Sequence, residues 1–74
     1  MTYHIQCNSF KQVTIMAELF AEHYSGSKPQ YLASVATVKV GDDIFRFHAN
    51  DVKKKFKTTS CKGFFNKYFK TTRK

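Results

Sequence analysis

The sequence has few of the residues that usually stabilise a chain this short. It has 74 residues, with two cysteines, one proline and no tryptophan. Domains of this size bury only about 60% of their unfolded surface and often rely on disulfides, metals or a partner. Cys7 and Cys61 form no disulfide framework, and the His and Cys residues lack zinc-site spacing. We therefore expect two reduced thiols, no metal and no cofactor, and we leave a homodimer open.

Long apolar runs are also lacking. No stretch of about 18 consecutive apolar residues occurs, which argues against a membrane-spanning helix. The first residues have neither the basic start nor the apolar run of a signal peptide. We expect a protein in a reducing, cytoplasmic location, without a membrane partner.

Acidic residues are scarce and the basic ones are unevenly placed. Thirteen Lys and Arg residues stand against five Asp and Glu residues, for a net charge of +8. Residues 1–50 carry four charges of each sign, whereas residues 51–74 carry nine basic residues and one aspartate. The entire charge excess therefore lies in the last third of the chain, which is typical of proteins with a polyanionic partner.

The first third of the chain predicts a strand followed by a helix. Apolar residues alternate with polar ones over 2–7, which suits a strand with one buried face. Ser9 and Gln12 have the spacing of a capping box, so a helix is expected from Phe10 to about Tyr24. Gly26 then supplies a left-handed stop.

A β-hairpin over residues 31–49 is the next predicted element. Gly41 and Asp42 suit a type II′ turn between two runs rich in strand-forming residues. With that turn, the apolar pairs fall on one face of the sheet. The pairs on this face are Val40 with Asp43, Val38 with Phe45 and Ala36 with Phe47, and those on the other are Lys39 with Ile44, Thr37 with Arg46 and Val35 with His48.

Two further helices are predicted after the hairpin. Asn50 or Asp51 suits the cap of a short helix with Val52 and Phe56 facing inward. Ser60 suits the cap of a last helix, on which one stripe is apolar. The stripe consists of Cys61, Phe64, Phe65, Tyr68 and Phe69, and a core role is expected for most of it.

The sum of these elements is a single α+β domain over residues 1–70 with a mobile basic tail over 71–74. The expected order is β-α-β-β-α-α, with a three-stranded sheet that contains the 31–49 hairpin and is covered by helices.

The lysines after residue 52 are the candidate binding residues. At the start of a helix, cations oppose the positive end of the helix dipole, and a bound phosphate would relieve that repulsion. The alternative is a solvated face that favours solubility. The predicted site consists of Lys53, Lys54, Lys55, Lys57, Lys62 and Lys67, with Arg46 and Lys39 on the hairpin as contributors.

Two short resemblances accompany these features. Residues 61–65, Cys-Lys-Gly-Phe-Phe, resemble the reading helix of nuclear hormone receptors, but that family needs two four-cysteine zinc sites and this chain has two cysteines. Pro29-Gln30-Tyr31, the hairpin and the following lysines are similar in order to part of a double-stranded RNA-binding domain. That family runs α-β-β-β-α, whereas here a strand precedes the first helix and only two strands are expected after it.

We predict a small basic nucleic-acid-binding protein that contacts phosphates of RNA or DNA with low sequence specificity. The alternative is a small regulator or inhibitor, such as a viral accessory protein, that docks its basic face on an acidic host nuclease, toxin or defence complex. An enzyme is not expected. The nearest candidate, His48 with Asp51 as a nuclease base, has no recognisable motif spacing.

Overall fold

The computed structural model describes residues 1–69. A five-stranded mixed sheet forms one layer of the fold, and two helices form the other. The elements are β1 (Thr2–Gln6), α1 (Phe10–Phe20), a π-helical turn (Ala21–Ser25), β2 (Gln30–Leu32), β3 (Val35–Val40), β4 (Asp43–His48), β5 (Thr58–Ser60) and α2 (Cys61–Tyr68). The strand order across the sheet is β2-β3-β4-β1-β5. The expected basic tail over 71–74 lies outside the described residues.

The predicted three-stranded sheet and β-α-β-β-α-α order are wrong. The run from Tyr31 to Val40 is divided into two antiparallel strands, because the chain reverses near Ala33, which has a φ of 55°. Residues Thr58–Ser60 form β5 and pair in parallel with β1. β1 lies inside the sheet, where it also pairs in parallel with β4.

The register of the hairpin between β3 and β4 is confirmed at all six predicted pairs. Gly41 has a φ of 60°, which the first turn position of a type II′ turn requires. Ala36, Val38, Phe45 and Phe47 are all buried on the same face. The agreement between turn geometry and side-chain alternation therefore defines the core face of the sheet.

α1 begins as its capping residues indicate and ends earlier than expected. The Ser9 Oγ accepts a hydrogen bond of 3.2 Å from the Gln12 N–H, and the Gln12 side chain accepts one of 2.7 Å from the Asn8 N–H. The α-helical hydrogen bonding stops at Phe20 and a π-helical turn follows. Gly26, at a φ of 73°, ends that turn.

Both helices pack on the core face of the sheet through aromatic side chains. Phe20 of α1 lies with its ring centroid 4.6 Å from that of Phe45 and 5.0 Å from that of Phe64. Phe64 of α2 in turn contacts Phe47 at 5.2 Å. The last helix and its Ser60 cap are confirmed, with the Ser60 Oγ accepting from the Gly63 N–H at 3.0 Å. Phe65, expected in the core, is 42% exposed.

The other face of the sheet, here called the open face, carries no helix in the described chain. Strand alternation places on it a row of five laterally paired residues, one from each strand. The row consists of Gln30, Thr37, Arg46, His4 and Thr58. Each member is polar, so the centre of the open face offers hydrogen-bonding groups. Among the described helices, none has the length and apolar character needed to cross a membrane.

Candidate nucleic-acid interface

Four of the predicted site residues lie in the loop of residues 51–57, here called the lysine loop, which joins β4 to β5. Lys53, Lys54, Lys55 and Lys57 are all exposed. The predicted short helix over this segment is wrong, because the loop consists of turns and bends. These four lysines therefore do not oppose the dipole of a helix of their own. They form an exposed cluster of charge on the segment that runs from the end of β4 to the start of β5.

A buried glutamine holds the lysine loop against the sheet. Gln6, 8% exposed, donates from its amide to the carbonyl oxygens of Cys7 at 3.0 Å and Asn50 at 2.6 Å. Its side-chain oxygen accepts from the Val52 N–H at 2.9 Å. Because buried polar groups are costly when unpaired, these bonds fix the entry of the loop. Sequence reasoning missed Gln6, since nothing in its neighbourhood distinguishes it from an exposed strand residue.

The turns inside the loop are fixed by further hydrogen bonds. The Asp51 carboxylate accepts from the Lys53 N–H at 3.1 Å, as in an Asx turn. The Val52 carbonyl accepts from the N–H groups of Lys55 at 3.0 Å and Phe56 at 2.9 Å. The lysine side chains are thus carried on a backbone with local order.

Phe56, expected to face inward from a helix, instead lies on the open face. Its ring stacks on the His4 imidazole, with centroids 4.0 Å apart and an interplanar angle of 10°. A second imidazole, that of His48, lies 5.8 Å from the ring at 23°. Phe56 nevertheless remains 41% exposed. The loop therefore places one aromatic ring, between two lysines in sequence, at the surface of the sheet.

The two histidines beneath Phe56 share a hydrogen bond. The Nδ1 of His4 and the Nε2 of His48 are 2.9 Å apart, so one nitrogen donates and the other accepts. Burial lowers the pKa of both imidazoles, and the nearby Arg46 charge lowers both further. Among the described residues, no hydrogen bond joins His48 to Asp51, and the Asp51 carboxylate instead accepts from the Lys53 N–H.

A surface cavity brings Lys53 together with Lys62. The cavity has a volume of about 390 Å³ and is lined by Gln6, Asn8, Gln12, Lys53, Thr58, Ser60, Cys61 and Lys62. β1 and β5 are parallel neighbours, and each is followed by a helix, so α1 and α2 both begin at this edge. Neither helix has an acidic residue in its first turn. The positive ends of both helix dipoles and two lysines therefore meet around one cavity.

The remaining predicted site residues lie apart from this cavity. Arg46 is exposed on the open face and is paired in register with His4. Lys39 lies towards the other end of the hairpin, opposite Ile44. Lys67 is in the last turn of α2, where its ammonium lies 5.5 Å from the centroid of the Tyr68 ring. A cation at that end of a helix complements the dipole, which is an ordinary structural role.

The two cysteines meet beside the cavity although they are distant in sequence. Cys7 and Cys61 are both buried, and no disulfide joins them. Burial raises the pKa of Cys7 to about 12, and the Cys61 thiol adds to this effect. Within residues 1–69, no group of three or more His, Cys, Asp and Glu residues is arranged to hold a metal ion.

Comparisons with protein-family models, curated proteins and solved structures found no significant match for this chain. The observed order of elements differs from the predicted one in its likeness to the double-stranded RNA-binding domain. Three antiparallel strands, β2, β3 and β4, follow α1, where the sequence predicted two. β1 and β5 remain departures from the α-β-β-β-α order. The likeness is one of element order alone and assigns no family.

Proposed function

We propose that this chain binds nucleic acid through its phosphate backbone, with the lysine loop and Lys62 as the principal contacts and with low sequence specificity. The observation that supports this proposal most directly is that Lys53 and Lys62 line the same cavity, at which both helices begin. Cations repel one another there and oppose both helix dipoles, so the arrangement is unfavourable in the free protein. A phosphate supplies the missing negative charge to both lysines and to the helix ends.

The charge distribution among the described residues supports the same interface. Residues 51–69 carry six lysines and one aspartate, whereas residues 1–50 are balanced. Four of the six lysines are within five positions of one another in the lysine loop. Phosphate contacts of this kind position a protein on a strand without reading its bases, which is why low specificity is expected.

A matched pair of charge-reversed proteins tests the proposal. The Lys53→Glu/Lys62→Glu protein alters the cavity, and the Lys28→Glu/Lys39→Glu control makes the same change in net charge at two exposed positions away from it. Binding of labelled single- and double-stranded RNA and DNA is followed by fluorescence anisotropy across a salt series. We expect the wild-type log affinity to fall with log salt at a slope of roughly −3 to −6.

The cavity variant should lower the affinity about tenfold or more and make the slope shallower by about two, whereas the control should keep the wild-type slope. Circular dichroism checks that both variants remain folded. Equal losses in the two variants would mean that net charge alone drives binding and that the site is misplaced. If none of the four nucleic acids binds at low salt, the proposal fails, and capture of an acidic protein becomes the next experiment.

A further inference from the structure

Phe56 presents a ring whose two faces have different surroundings. His4 covers one face at a centroid distance of 4.0 Å, with the rings nearly parallel. Since 41% of the residue is exposed and His4 covers one ring face, the accessible surface lies on the sides of the residue away from His4. The histidine pair, joined by its 2.9 Å hydrogen bond, supports the ring from below. The molecule thus holds a flat aromatic surface in a fixed orientation at the open face.

The surroundings of this ring are cationic and polar. Lys55 and Lys57 precede and follow Phe56 in the chain, and both are exposed. Arg46 is exposed on the neighbouring strand, in register with the histidine beneath the ring. Within residues 1–69, the nearest acidic residue in sequence, Asp51, uses a carboxylate oxygen to cap the Lys53 N–H. A ligand that combines a planar apolar group with negative charge is complementary to this surface.

Shielding of His48 from solvent does not by itself explain why position 56 holds an aromatic ring stacked on His4. His48 is 5% exposed, and an aliphatic side chain would shield it as well as a ring. The near-parallel stacking on His4 instead leaves the opposite ring face clear of that imidazole. Base–aromatic stacking uses that geometry, and it is the usual means by which single strands are bound without sequence readout.

We infer that the outer face of Phe56 stacks on an unpaired nucleobase of a single-stranded nucleic acid, while Lys55, Lys57 and Arg46 contact its phosphates. This inference rests on the proposed function and narrows its ligand to single strands. A base inside a duplex is stacked on its neighbours on both sides and cannot lie on the ring. The histidine pair acts as a positioning element, since it contacts Phe56 and not the nucleic acid.

A tryptophan at position 56 tests the stacking directly. The chain has no tryptophan, so Phe56→Trp introduces a single tryptophan at the proposed contact, and excitation at its long-wavelength edge avoids the tyrosines. It is titrated with a thymidine oligonucleotide of roughly twelve nucleotides, with an abasic oligonucleotide of the same length, and with a duplex. We expect the thymidine strand to quench the tryptophan. The abasic strand has the same phosphates without bases, so it should bind through the lysines and leave the fluorescence unchanged.

Affinity measurements on two further variants provide the second test. Phe56→Leu retains an apolar cover over His48 but removes the ring, and it should weaken binding of the thymidine strand roughly 5- to 150-fold, the loss of one base stack. Phe65→Ala is the control, because Phe65 has nearly the same exposure, 42%, in the helix layer. Its affinity should equal that of the wild type. Binding of the abasic strand should be the same in all three proteins.

Two results would overturn the inference and leave the phosphate contacts intact: equal affinity for the thymidine and abasic strands, or a duplex preference that Phe56→Leu does not change. Failure of all three ligands to bind would overturn the proposed function together with the inference. Quenching by the thymidine strand alone, with the affinity loss in Phe56→Leu, supports both.

Discussion

Truncation of two adjacent phenylalanines of α2 should have very different consequences for stability. Phe64 is 3% exposed and contacts the rings of Phe20, Phe45 and Phe47, whereas Phe65 is 42% exposed and stacks on Phe69. Phe64→Ala removes a buried ring and should cost about 3–5 kcal/mol. Phe65→Ala loses part of a surface stack and gains helix propensity, so its cost should be about 1 kcal/mol or less.

The pair is informative because both changes replace Phe by Ala in the same helix, so differences in helix propensity cancel. A chain of this length is expected to have a total stability of about 4–11 kcal/mol, so Phe64→Ala removes a large part of it. Urea unfolding followed by circular dichroism measures both costs. In thermal unfolding, the midpoint temperatures of the two variants should differ by about 8–40 °C. Equal costs, or a larger cost for Phe65→Ala, would show that α2 is rotated about its axis relative to the packing described above.

Two further predictions concern titrating groups. Burial lowers the folded-state pKa of His4 and His48 below the ordinary value of 6.5, so the unfolded chain binds protons first as the pH falls. The free energy of unfolding should therefore be highest above about pH 6.5 and decline below it until the folded histidines protonate. Urea titrations at several pH values should show a flatter decline for His48→Gln. A wild-type protein that gains stability on acidification would contradict the lowered pKa values. The raised pKa of Cys7 and the burial of both thiols predict slow reaction of the native protein with a thiol reagent near pH 8, and rapid reaction of two thiols per chain in denaturant. Rapid modification of either native thiol would contradict that prediction.

The elements that the sequence predicted correctly are those whose signals are local. The β3–β4 register follows from a Gly-Asp turn and strict alternation, and the start of α1 follows from Ser9 and Gln12. The break between β2 and β3 had no such signal, because Ala33 adopts a positive φ that alanine seldom takes. β5 was missed because its pairing with β1 joins segments distant in sequence.

For the candidate site, too, local sequence signals were informative, whereas features that depend on long-range contacts were missed. Charge counting located the lysines, since it needs no structure. The spacing of Val52 and Phe56 matched a helix, but tertiary contact with His4 prevailed over that local pattern. The cavity could not be predicted either, because it depends on the parallel placement of β1 beside β5.

The central place of β1 has a consequence for how the chain reaches its fold. The lateral neighbours of His4 in the sheet, Arg46 and Thr58, follow it by 42 and 54 residues in the chain. β1 therefore remains without sheet partners until β4 and β5 have been translated, and parallel pairing over such separations slows folding. The β2-β3-β4 meander can form earlier from neighbouring segments. Completion of the sheet, with the lysine loop closed over it, is then expected to be the final step, so the proposed binding surface would exist only once the whole domain has folded.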